Sequence, residues 1–165
     1  MRRTDREMDE SFALAMVDKC AFATLSMVTA DCAPYCVPLT IARVDRSIYF
    51  HCAFDGTKVE VLRENPRVCV CCVGDVRAYP GKFTTEYESA IVFGTAHEVE
   101  QEAEKIAALR AICERHTPEN MSDFDSAVER SLSHTAIWRI DIESITGKRK
   151  KYDSEGKEMK FGRME

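Results

Sequence analysis

The residues best placed to do chemistry in this 165-residue chain are Gly56-Thr57-Lys58, which open a predicted helix directly after a predicted strand. The first turn of a helix presents amides with no intrahelical partner and carries partial positive charge. Glycine at that point lets a ligand reach the backbone, and lysine adds a full charge, so the combination suits a phosphate. The same residues also read as plain architecture, with Thr57 capping the helix and Lys58 solvated. Spacing alone leaves both readings open. The segment is too short for a Walker loop, and no GxGxxG occurs anywhere in the sequence. His51 closes the strand Tyr49-Phe50-His51 just before Cys52 and Ala53. Near neutral pH an imidazole there can donate a hydrogen bond or move a proton, or it can serve as a structural hydrogen-bonding group. His97, His116 and His134 lie far apart in the chain and form no cluster with it.

Eight cysteines raise the question of a metal. Cys69-Val70-Cys71-Cys72 formally contains CxxC, and Cys32 with Cys36 adds a second pair. On a strand, residues three apart point to opposite faces, so Cys69 and Cys72 cannot chelate one ion without a turn. Zinc sites place such pairs in converging knuckles, and this run holds no Gly or Pro to make one. No metal site is expected, and the thiols read as small buried apolar groups. A nucleophile elbow of the GxSxG type is absent. Trp138, the single tryptophan, reads either as core or as an aromatic wall for a planar ligand.

These residues need a scaffold, and the periodicities supply one. Thr4-Asp5-Arg6-Glu7 has the form of a capping box. Met8, Phe12, Ala15 and Met16 then recur at helical spacing, predicting a helix to about Asp18. Strands are predicted at Cys20–Val28, Pro34–Val44 and Ser47–His51, the last two joined by a tight turn at Asp45-Arg46. Thr57 and Glu60 form a second capping box on a short helix that Asn65-Pro66 stops. Arg67–Val73 is a strand, Asp75–Lys82 an exposed loop, and Thr85–Glu100 a long strand with a bulge or close approach at Gly94. Helices follow at Glu102–His116 and Asp123–Leu132. In Thr135–Glu143, Trp138, Ile140 and Ile142 alternate with Arg139, Asp141 and Glu143, which is a half-buried strand. About six strands with helices inserted late predict an α+β fold able to close a small barrel. Residues 1–147 would form one domain, and the charged stretch 148–165 a tail.

Composition bounds the function. Hydrophobic residues make up 45% and charged residues 31%, ordinary for a globular domain. The formal net charge of −5 opposes what gripping phosphate backbones requires, so no nucleic-acid partner is expected. The opening MRRTDREMDE is charged where a signal peptide needs an apolar core. Apolar runs are too short to span a bilayer, so no membrane partner is expected. A cytoplasmic location follows, with cysteines as free thiols.

Taken in order, the segments resemble a known family over about residues 1–150. They are the helix opening Met1–Glu7, Ala21-Phe22-Ala23-Thr24-Leu25, Pro34-Tyr35-Cys36-Val37-Pro38-Leu39, and Ile48–Ala53. Gly56-Thr57-Lys58, Asn65-Pro66-Arg67-Val68, Tyr87–Ala96 and Trp138-Arg139-Ile140 follow. The order and spacing resemble the nitroimidazole-resistance branch of the pyridoxamine 5′-phosphate oxidase-like proteins. That resemblance implies a mostly antiparallel split β-barrel with peripheral helices, assembled as a homodimer with two FMN sites at the subunit interface. FAD is the alternative cofactor. Position by position, Lys58 would hold the FMN phosphate with the amides at Gly56 and Thr57. Val37, Pro38 and Leu39, with His51, Cys52 and Ala53, would line the isoalloxazine. Glu88 and Ser89, with Trp138 and Arg139, would approach from the other subunit. His51 matches a histidine placed beside the flavin and is the candidate catalytic residue. The implied activity is an FMN-dependent oxidoreductase that uses NADH or NADPH to reduce a small-molecule acceptor such as a nitroaromatic. A non-catalytic flavin- or haem-binding protein is the alternative. The arginine- and histidine-bearing C-terminal signature of true pyridoxamine phosphate oxidases is not evident, which speaks against pyridoxal phosphate synthesis.

Overall fold

A computed structural model describes residues 2–162; Met1 and residues 163–165, which the expected domain and tail bounds include, lie outside the described residues. Along the chain run β1 (Glu7–Met8), α1 (Glu10–Lys19), β2 (Ala23–Val28), β3 (Pro34–Leu39), β4 (Ala42–Val44) and β5 (Ser47–Cys52). Then come α2 (Thr57–Glu64), β6 (Arg67–Ala78), β7 (Thr85–Glu98), α3 (Glu102–His116), α4 (Phe124–Ser131) and β8 (Ala136–Lys150). The sheet order is β3-β2-β6-β7-β8-β5-β4, with β1 added to β8, and every pairing is antiparallel. Thr40-Ile41 joins the outermost strands β3 and β4 in sequence, yet the two share no ladder among the described residues. The sheet therefore curls without closing, an α+β split barrel.

Period-two alternation fills its interior. Leu25, Phe50, Val70, Val92, Trp138 and Ile140 are all buried, and Ala13, Met16 and Val17 of α1 pack into the same cluster. A second cluster lies outside β5 and β8, where Ile137 and Tyr49 meet Leu109 of α3 and Phe124 and Val128 around α4. The end of α3 stitches the unladdered seam. Arg115 donates to the carbonyls of Ile41 (2.8 Å) and Cys20 (2.6 Å), and His116 Nε2 lies 2.8 Å from the same Ile41 oxygen.

The outer face of the other half is unlike an ordinary solvated surface. One cross-strand row reads Pro38, Thr24, Cys71, Ile91 and Thr146. The next reads Cys36, Ser26, Cys69, Phe93 and Ser144. Neither row holds a charge. Phe22 and Phe93 stand more than half exposed here, at 59% and 54%.

Several sequence expectations change. Thr4–Arg6 forms a 3₁₀ turn with no side-chain cap; α1 starts later, capped by Asp9, whose carboxylate accepts from the Phe12 amide at 2.8 Å. Eight strands replace about six, because β1 and β4 are too short to show periodicity. Gly94 is a bulge as expected, with the register shifting between Phe93 and Gly94; a Cβ there would collide with the Asp141 carbonyl oxygen. The loop expected from Asp75 begins only after Ala78, and β8 continues to Lys150 along Tyr87–Ala90. The charged residues beyond β8 fold back on the N-terminus. Tyr152 bridges to Glu158, Arg6 grips Glu158 at 2.7 and 3.1 Å, and the Phe161 amide donates to Asp5 at 3.0 Å.

Candidate functional site

β5 carries the centre of the site. Ile48 and Phe50 point into the core, while Tyr49 and His51 point out. The chain then leaves the sheet through Ala53–Asp55 and turns into α2 at Gly56, whose φ of 104° requires glycine. A Cβ at Gly56 would meet nothing within 4 Å, so the approach to the backbone is open. The Gly56 carbonyl accepts from the amides of Val59 (2.9 Å) and Glu60 (3.1 Å). Thr57 does not cap: the expected Thr57/Glu60 box is absent, and Gly56 takes the cap position with no side-chain bond. Val59, Val61 and Leu62 bury one side of α2, which fixes the direction of its first turn.

Lys58 folds over this corner rather than into solvent. Its ammonium stands 5.3 Å from the centroid of the Phe50 ring, close enough to act electrostatically on Cys52. Partial desolvation by its neighbours, in a residue still open to solvent, pulls the His51 imidazole below its ordinary pKa, and the Lys58 charge pulls it further. His51 is therefore neutral at pH 7, able to donate from one ring nitrogen and accept at the other. Burial raises the Cys52 thiol, with Lys58 offsetting part of the rise, so the thiol stays protonated. The donor set is one ammonium and the unpaired amides of a helix start, with Asp55 before Gly56 and Glu60 in the first turn as the flanking carboxylates. That set fits a phosphate, and the corner is a shelf: His51, Ala53, Gly56 and Thr57 are all exposed.

The remaining expected site residues are distributed. On β3, Val37 and Leu39 pack inward against the core while Pro38 faces out opposite Thr24. Glu88 and Ser89 sit far along β7. Phe50 pairs with Trp138, which pairs with Glu98, ten residues beyond Glu88; at roughly 3.3 Å per residue that is on the order of 30 Å of strand. Within one chain they do not reach the corner. Glu88 is engaged by Lys19 at 2.8 Å and Arg149 at 3.2 Å. Trp138 is core, 2% exposed, although its indole N–H has no partner. Arg139 is committed to Glu104 and Asp141, both at 2.9 Å, and Tyr49 donates to the same Glu104 at 3.1 Å. That network straps α3 onto β5 and β8. Trp138 and Arg139 thus support the corner from within and behind it.

Sequence reading passed over Arg115 and His116, whose bonds hold the corner between β3 and β4. Only a basic helix end marked them, a feature most helices share. Among the described residues no group of three or more His, Cys, Asp or Glu could hold a metal ion. All eight cysteines are free. No helix among the described residues is long and apolar enough to cross a membrane.

Comparisons with known proteins place this geometry in a lineage. Among solved structures, the fold is similar to a candidate 5-nitroimidazole antibiotic resistance protein from Bacteroides thetaiotaomicron, with 23% identity and a TM-score of 0.74 over 87% of this chain and 86% of that one. A FAD- and haem-binding protein from Mycobacterium smegmatis aligns at a TM-score of 0.75 and 18% identity, over 96% of this chain and 84% of its own. A FAD-binding protein from Mesorhizobium loti aligns at 0.63 and 22%, over 87% and 96%. At such identities these likenesses establish the fold. Among curated proteins, none matches the chain. The family model described as pyridoxamine 5′-phosphate oxidase matches residues 9–149, and on that match the chain belongs to the pyridoxamine 5′-phosphate oxidase family.

Proposed function

We propose that this protein is a flavin-dependent oxidoreductase that binds FMN with its phosphate at Gly56-Thr57-Lys58. The observation that carries the reading is the open helix start at Gly56 with Lys58 in its first turn, held over Phe50, directly after the strand end where His51 faces out. When bound, the flavin supplies the redox chemistry. The chain's own residues bind and orient. Lys58 and the first amides of α2 hold the phosphate, neutral His51 hydrogen-bonds at the ring, and outward-facing Pro38 with Ala53 supplies apolar wall, Val37 and Leu39 packing beneath it on the core side. NADH or NADPH is the proposed donor, and a nitroaromatic or similar small molecule the acceptor. The shelf needs a second wall. The charge-free outer face with Phe22 and Phe93 supports a homodimer whose other copy brings Glu88 and Ser89 to the flavin. A cytoplasmic location accords with the eight free thiols.

Titrating the purified protein with FMN tests the binding. Saturable quenching of flavin fluorescence is expected, and bleaching of the bound flavin by NADH or NADPH reports the enzyme. A second reading, a carrier that binds flavin or haem without turnover, is favoured by the likeness to the Mycobacterium smegmatis protein. Bound flavin that no nicotinamide bleaches, or a Soret band, would select it.

A further inference from the structure

A separate cleft of about 570 Å³ opens beside the loop that joins β5 to α2, bounded by α3, α4 and the turn after α4. Its floor is apolar. Ile106, Val128 and Leu132 pack against the second core cluster, so their positions are fixed by buried neighbours. Phe54, 39% exposed, contributes an aromatic wall. The rim is acidic: Glu100, Glu102 and Glu129 against Lys105 alone, whose ammonium stands 5.8 Å from the Phe54 ring centroid. Adjacent carboxylates are neutralised, Glu98 by Arg63 at 2.9 Å and Glu104 by Arg139 at 2.9 Å. The three rim glutamates enter no ion pair among the described residues. Net negative charge over an apolar floor, three glutamates against one lysine, disfavours phosphates and carboxylates and attracts cations.

We propose that this cleft binds a small organic cation: an amine or quaternary ammonium with an apolar, preferably aromatic, body. The floor removes apolar surface from water, Phe54 packs against the ligand's aromatic body, and the rim glutamates supply the charge preference. An adenylate or other phosphate-bearing ligand is excluded from it by the same charge. The site is chemically distinct from the phosphate-holding corner, although Phe54 lies only two residues before Gly56.

The test uses benzyltrimethylammonium as cation and benzenesulfonate as an anion of similar body, titrated against the methyl resonances of Ile106, Val128 and Leu132. The cation is expected to shift these methyls saturably, binding at least about tenfold more tightly than the anion, a difference near 1.4 kcal/mol. The surface double variant Glu102→Gln/Glu129→Gln should lower that preference to threefold or less, and Phe54→Ala should weaken cation binding with FMN affinity retained. Equal affinity for both probes, or methyls that do not move, overturns the cleft. Loss of FMN binding with the cation response intact would instead overturn the flavin reading and leave the cleft standing.

Discussion

Lys58 stands over the Phe50 ring, 5.3 Å from ammonium to ring centroid, so the corner's positive charge rests at the edge of the barrel core. Lys58→Ala is expected to weaken FMN binding by about 1.5–3 kcal/mol, the range for hydrogen bonds to charged groups, or roughly ten- to a hundredfold. Fluorescence titration of both proteins reads it directly. An unchanged dissociation constant removes Lys58 from the site.

Charge at Lys58 also tunes His51. Its imidazole is lowered first by partial desolvation and then by the lysine, so Lys58→Met should raise the His51 pKa while leaving it below the ordinary value of 6.5. A folded-state pKa below the unfolded one means the unfolded chain takes up the proton more readily. Stability from this group is complete above pH 6.5 and declines as pH falls below that value. Following the ring proton by NMR between pH 4 and pH 8 checks both statements. An imidazole that titrates at the same pH in both proteins would show the two side chains to be uncoupled.

The seam depends on Arg115. Replacing it with alanine strips guanidinium bonds from the Cys20 and Ile41 carbonyls, and a loss of about 2–3 kcal/mol is expected. For a chain of this length that is a fall of roughly 5–10 °C in Tm. His116→Ala should cost less, about 1 kcal/mol, since Arg115 still serves the shared Ile41 oxygen. Thermal and urea unfolding of the two variants would rank them.

Acid should release the C-terminal return. Arg6 holds the Glu158 carboxyl down to about 2 from 4.5. Its contribution is complete above pH 4.5 and is lost as pH falls toward 2. Glu158→Gln should mimic that loss at neutral pH, exposing residues 151–162 to trypsin with the barrel's circular dichroism unchanged. Equal digestion rates would refute the clamp.

If the charge-free face is where two copies meet, Phe93→Asp places a charge in its middle. Sedimentation should then show a monomer that has also lost flavin affinity, because the second wall departs with its partner. A variant that remains dimeric would move the interface elsewhere.

Helix α3 was legible to the residue, and Gly94 was legible as a bulge, because a clean 3.6 period and a lone glycine in a strand each have one dominant physical cause. The outer halves of β6 and β7 were not. Arg77 and Glu86 face each other at 2.6 Å on a hairpin whose buried side chain is itself a glutamate, covered by the residues after β8, so no apolar alternation announces the ladder. In β8 beyond Glu143 the charged residues are strand because Tyr87–Ala90 lies along one side and β1 along the other. At the site, Lys58 and Gly56 could be picked out by residue type, but Thr57 was misread. A glycine at φ 104° already filled the capping position, and backbone sign is invisible in a letter code. Arg139 drew attention for its place in a motif, while its actual partner, Glu104, sits on a helix 35 positions away.

The ladder of β5 on β8 brings Ser47 against Asp141, a separation of 94 residues. Before that ladder exists, β5 has only the three-residue β4 beside it, and a lone hairpin is marginal in water. Loop closure over so long a span is a slow, late event in folding. The strand that presents His51 is therefore set in place only once Ala136–Asp141 has been synthesised and docked. A ligand that needs His51 in place would find its strand ordered only after Ala136–Asp141 has left the ribosome.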